Sequence, residues 1–354
     1  MASETSNFID RGIDPKAAKV IGRALKLNEN QYNKIVEAGE LRPSLDIWLG
    51  WLDRVLLVAA AAFLLSGVLC FVSYNWAGLH KLLKFTLLEV ALLVTIAMAW
   101  YKGIQHLSGK VLLFSGAVIM GFCLAVFGQV YQTGADPYGL FLVWLIFVTA
   151  WAIIGRQPGL YVLFVVLSNL TLIFYWNQMV SPPSAGSVWI SSLFGPLVRL
   201  FFDSGRSYLP LLVLALNFLF VVIHEHLAKK DLGPQGSATI RVSGMAGIIP
   251  VTASAVILLF DNEWQSIGSL LLVVFFVTIV AGLWYFRFKN RDLFLTSGIL
   301  LALIVFVTSF LVKFTNFGKM GIFSFFFIGV AVLLQTGAAA YWLRISNAEG
   351  RATR

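Results

Sequence analysis

Polar side chains are scarce in this chain, and those able to do chemistry gather in two short stretches. Asn75-Trp76 is followed by Lys81 and Lys84, and Phe127-Gly128-Gln129-Val130-Tyr131-Gln132-Thr133-Gly134-Ala135-Asp136 leads into Leu140-Phe141 and Trp144. Asn75, Gln129 and Gln132 offer amide donors and acceptors, Tyr131 a hydroxyl, Trp76 a ring face and Asp136 a carboxylate. Brought together, Asn75, Trp76, Gln129, Tyr131, Gln132 and Asp136 would bind a polar ligand, a lipid head group or a partner's peptide. The competing reading is structural: the amides cap helix ends, Gly134 closes a turn, and Trp76 and Trp144 pack or anchor.

Glu89 is the one acidic residue well inside an apolar run, about seven residues or ~10 Å from its start. A charged carboxyl in hydrocarbon costs roughly 2.5 kcal/mol or more, which marks it as a functional candidate. It would take up a proton, hold a cation or pair with a lysine; the alternative is a neutral carboxyl hydrogen-bonded between helices. Asn169, Asn217 and Gln335, also in apolar runs, are expected to bond between helices. His224-Glu225-His226 has metal-ligating side chains, but residues two apart on a helix point to different faces, so no metal site is expected there. Cys70 and Cys123 are expected to be free thiols packed in the membrane rather than a disulfide. The chain has no phosphate-binding loop, no zinc-protease motif and no serine elbow, so no cofactor is expected and an enzyme lacks an identifiable nucleophile.

The elements that position these residues are ten apolar stretches bounded by charges, aromatics or turn residues. They run from Val55 to Tyr74, Leu82 to Tyr101, Val111 to Val130, Gly139 to Ile154, Leu160 to Trp176, Leu209 to His226, Gly244 to Phe260, Ile267 to Phe286, Leu293 to Val312 and Met320 to Leu343. Of 354 residues, 59% are hydrophobic and 12% charged, which excludes an ordinary soluble domain. Stretches near 20 residues match the ~30 Å hydrocarbon core at ~1.5 Å per residue, and lipid-exposed backbone must satisfy its hydrogen bonds internally. The expected fold is all-α, a polytopic transmembrane bundle of about ten spans. Residues 51–345 form its membrane domain, preceded by a helical segment over 1–50 and followed by a tail over 346–354.

Placing the N-terminus in the cytoplasm puts 20 of the 26 Lys and Arg residues on the inner side, so both termini are expected there. The net charge of +9 is then largely a topology signal, and nucleic acid is not an expected partner. In the N-terminal segment Asp14-Pro15 reads as a helix start. The apolar run 188–202 holds Pro196 and Arg199 and is short for a span; an interfacial helix is favoured, with a re-entrant segment or an extra span as alternatives. Ala62, Ser66 and Cys70 in the first span, and Ala117, Gly121 and Ala125 in the third, form small-residue stripes. If these two spans pack through them, Asn75 and Gln129 come to similar depth. Pro250 is the best candidate for a broken helix.

The Asn-Trp pair followed by lysines, and the Gly-Gln-x-Tyr-Gln-Thr-Gly-Ala-Asp string, resemble the bacterial membrane proteins grouped as domain of unknown function 2157. The resemblance covers roughly residues 1–155 and implies a multi-pass protein of a bacterial cytoplasmic (inner) membrane, with no assigned activity. Three functional classes follow from the residues. A non-enzymatic scaffold, sensor or accessory subunit fits the scarcity of buried charge, with membrane lipids and a protein partner at the outer face or N-terminal segment. A small-solute or ion transporter fits ten spans and Glu89. A membrane enzyme on lipid-linked substrates would need Asp136 or Glu89 as acid or base.

Overall fold

The computed structural model describes residues 28, 30, 45–75, 78–131, 137–180, 208–229, 237–261, 266–290, 292–314 and 322–352. Of the N-terminal segment only its last residues fall within α1, and the run 188–202 lies outside the described residues. Helices α1 (Leu45–Asn75), α2 (Lys81–Lys102), α3 (Leu107–Tyr131), α4 (Pro137–Gly155) and α5 (Pro158–Tyr175) are followed by α6 (Leu209–Lys229), α7 (Ala238–Phe260), α8 (Ser266–Trp284), α9 (Leu293–Phe314) and α10 (Ile322–Ala352). No strand occurs among the described residues. Among the described residues ten helices are long and apolar enough to cross a membrane, one for each stretch expected from the sequence. Helices α5 and α8 each continue into one wide π-helical turn, Trp176–Val180 and Tyr285–Lys289.

Local chemistry sets several ends. His80 caps α2 by accepting from the Leu82 N–H, and Gly103 ends it at φ +79°, a left-handed geometry that suits a residue without Cβ. Pro158 opens α5 where no intrahelical donor is needed. Asp292 caps α9, accepting from the N–H groups of Phe294 (2.9 Å) and Leu295 (3.2 Å). Helix α1 begins ten residues before the apolar run at Val55, and α10 carries on past Leu343 to Ala352.

Pairwise contacts fix the directions. Gly121 and Gly116 of α3 meet Trp144 and Trp151 of α4 in antiparallel register. Ile173 of α5 packs with Leu209 and Val213 of α6, and Asn169 with Asn217, so α5 and α6 are also antiparallel. The end of α5 and the start of α6 therefore lie at a single face. Antiparallel contacts continue from α2 to α10, so the ends of α2, α4, α6, α8 and α10 and the starts of α3, α5, α7 and α9 lie at one face, the first face. Lys102, Lys110, Arg156, Lys229, Arg241, Arg287, Lys289 and Arg344 sit toward it, against Lys81, Lys84 and Lys313 toward the second.

Helix α7 is the axis of the second half, packing on α5, α6, α8 and α9. Its apolar window is 56% buried, whereas those of α1 and α10 are 0% buried, so the bundle has a centre and two bare flanks. The largest core joins α7, α8 and α9 through Val251, Ala255, Phe275, Leu295 and Ile299; a second joins α3, α4 and α5 through Ala117, Val148 and Leu160. Lipid tails are as apolar as leucine, so fit rather than water exclusion holds such helices together. Pro250 does not break α7. It removes one backbone donor, yet the helix runs on and its carbonyl accepts from Ser254 Oγ at 2.8 Å.

Candidate functional site

The ends of α1, α2 and α3 that carry the two sequence motifs reach the second face together, but they do not assemble a described polar pocket. Asn75 is the last residue of α1, with its side chain outside the described part; Trp76, Gln132 and Asp136 are likewise outside the described residues. Gln129 is exposed near the end of α3. Tyr131 is 56% exposed and joins an aromatic group, its ring centroid 4.8 Å from Phe127 and 6.0 Å from Phe85. The ligand-binding set is thus represented by two exposed side chains, and the contacts of Tyr131 are with rings.

The small-residue stripes are used differently from the expected pairing of α1 with α3. The α3 stripe receives α4: a Cβ at Gly121 would overlap the Trp144 indole, and Trp144 Nε1 donates to the Ala117 carbonyl at 2.9 Å. This makes Trp144 a wedge, because an indole beside a glycine can reach a helix carbonyl that its own backbone donor already uses. The α1 stripe of Ala62, Ser66 and Cys70 is exposed, and nothing lies within 4 Å of a Cβ placed at Gly67. Cys70 and Cys123 are free, and Cys70 is exposed rather than packed.

Glu89 is exposed on α2 and is not enclosed between helices. It lies eight residues from Lys81, ~12 Å along a 22-residue helix, within the hydrocarbon depth.

Further polar groups lie on α5 to α10. Asn169 and Asn217 form a reciprocal buried amide pair, Asn217 Nδ2 donating to Asn169 Oδ1 at 2.7 Å and Asn169 Nδ2 to Asn217 Oδ1 at 3.2 Å. Each also donates to the carbonyl four residues earlier at 2.8 Å. Thr308 Oγ1 reaches Gln335 Oε1 at 3.5 Å between α9 and α10. At the first face Glu225 accepts from the Tyr285 hydroxyl and from Asn290 Nδ2 at 3.2 Å. Arg241 Nε donates to Asp292 at 2.9 Å, tying α7 to the cap of α9. On α6 and α7 stand His224, Thr239 and Ser243, all buried, whose side-chain polar atoms have no hydrogen-bond partner among the described residues. Gly247 meets Asn217, so ~1.5 Å per residue places His224, seven residues along α6, at the level of Thr239 and Ser243, eight and four residues along α7.

Sequence reading missed the Glu225–Tyr285–Asn290 group, since Tyr285 reads as an interfacial aromatic and Glu225 as part of a His-Glu-His string. The signal for His224 was its spacing of seven from Asn217, which puts both on one face. Among the described residues no group of three or more His, Cys, Asp or Glu side chains is placed to hold a metal.

The model of the family described as "predicted membrane protein (DUF2157)" matches residues 23–161, the stretch that holds both sequence motifs and the first four helices. Comparison with curated proteins and with solved structures gives no match. The chain is a multi-pass, all-helical membrane protein.

Proposed function

We propose that this protein is a non-enzymatic membrane scaffold or accessory subunit, with both termini in the cytoplasm of a bacterial cell, that binds a partner helix at Glu89. The exposed carboxyl of Glu89 at hydrocarbon depth carries this reading. Facing lipid it costs roughly 2.5 kcal/mol or more when charged, and a partner's lysine, arginine or hydrogen-bond donor would offset that cost. The bare flank of α1 supports the same reading, since small residues allow close helix approach and nothing occupies the space beside Gly67. Basic residues concentrated at the first face agree with that face being cytoplasmic. The test is the mass of the particle extracted from native membranes into nanodiscs. A stoichiometric complex that falls to the free chain on Glu89→Gln is expected; one mass for both proteins, equal to that of the chain alone, would overturn the proposal.

Transport is the second reading, favoured by the buried His224, Thr239 and Ser243 of α6 and α7, which have no hydrogen-bond partner among the described residues. It predicts that some ion or small metabolite raises the melting temperature of the purified chain, and that the shift disappears in His224→Ala. A panel that moves neither protein would remove it.

A further inference from the structure

A groove of roughly 410 Å³ opens between α9 and α10 with α7 as its floor, lined by Met245, Phe294, Gly298, Leu301, Ala340 and Leu343. Its walls are almost wholly apolar. It runs inward from the first face, from Phe294 to Ile304 on α9, ten residues or ~15 Å, about one leaflet of the ~30 Å hydrocarbon core. A Cβ on Gly298 would collide with Met245, so the absence of a side chain there lets the floor helix approach. A slot of this depth, open to the bilayer, suits an acyl chain.

The mouth of the slot is basic. On α7, Arg241 stands four residues, one turn, before Met245, and on α10 Arg344 stands one turn beyond Ala340, so each continues a stripe that lines the groove. The Arg241 side chain is 44% exposed, with its guanidinium carbon 5.6 Å from the centre of the Phe294 ring that forms the groove wall. It gives Nε to Asp292, and the fork has further donors that make no bond among the described residues. Arg287 lies 4.5 Å from the Trp342 ring, beside Leu343 in sequence, and adds a third cation at this end; Arg344 is exposed. Of these, Arg241 shares its Nε with the carboxylate of Asp292.

We infer that this groove is a binding site for an anionic glycerophospholipid, one acyl chain lying between α9 and α10 and the phosphate meeting Arg241 and Arg344. Basic pockets between membrane helices recognise such head groups through charge and guanidinium hydrogen bonds. The site uses α7, α9 and α10 and does not depend on the partner proposed at Glu89.

The test uses the delipidated full-length protein in neutral detergent, with phosphatidylglycerol and phosphatidylcholine of identical chains, read by native mass spectrometry and by melting temperature. Phosphatidylglycerol is expected to bind and raise the melting temperature, while phosphatidylcholine and inorganic phosphate do neither. Arg344→Gln should weaken phosphatidylglycerol binding about fivefold, the equivalent of ~1 kcal/mol per basic residue near an anionic head group. Ala340→Phe, which fills the groove, should abolish it. Equal binding of the two lipids, or binding unchanged in both variants, would overturn the site. So would a lipid-free dimer that Ala340→Phe dissociates, since a second copy would then cover the groove. If Ala340→Phe does not fold, Arg344→Gln decides alone.

Discussion

Replacing the Asn169–Asn217 pair tests whether α5 and α6 are joined by a specific polar contact or only by shape. Asn169→Leu removes two interhelical bonds and leaves the Asn217 amide buried with an acceptor and one N–H unsatisfied, while its other N–H keeps the Val213 carbonyl. Interhelical hydrogen bonds in membranes average ~0.6 kcal/mol, so the pair contributes about 1.2 kcal/mol. The orphaned amide adds about 1 kcal/mol or more. Each single leucine variant should therefore cost about 2–3 kcal/mol. In Asn169→Leu/Asn217→Leu no orphan remains, and the double loss should fall at least ~1 kcal/mol short of the summed single losses. Reversible unfolding in mixed micelles over the four proteins gives the coupling energy. Additivity within about 0.3 kcal/mol would refute the reasoning, since it would mean that the two amides do not depend on each other.

The wedge at α3 and α4 makes a steric prediction. Gly121→Leu should destabilise by about 2–3 kcal/mol through overpacking, and Trp144→Phe, which loses the indole bond to Ala117 but keeps a ring, by about 1 kcal/mol or less; thermal melts of both check the order. At the first face Asp292→Ala loses the cap of α9 and the Arg241 pair, at a cost of about 2 kcal/mol, whereas Asp292→Asn keeps a capping oxygen and should cost about half as much. Equal losses in the two would show that the cap contributes little.

What could be read from the residues alone follows from how directly lipid constrains them. The ten spans were legible because a helix in hydrocarbon needs an unbroken apolar length, and the alternation of faces follows from their number. The partners of each span were less so. The stripe at Ala117, Gly121 and Ala125 correctly marked a close approach, but spacing on one helix does not say which neighbour brings a complementary wedge, and Trp144 reads equally as an anchor. The Asn169–Asn217 bond was legible because isolated amides in apolar runs have few options. Glu225 and Asp292 were not, because near a helix end a charge that faces water and one that holds two helices together have the same local sequence. Glu89 was singled out as an intramembrane carboxyl, yet that it lies exposed depends on how α2 rotates against α3.

The most direct test of the assembly reading places a photo-crosslinking residue at Leu93, one turn from Glu89 on α2 and 66% exposed, and irradiates native membranes. A partner helix at Glu89 predicts one discrete crosslinked polypeptide that disappears when Glu89→Gln is combined with the probe. Lipid adducts alone, in the same yield with and without Glu89, would contradict it.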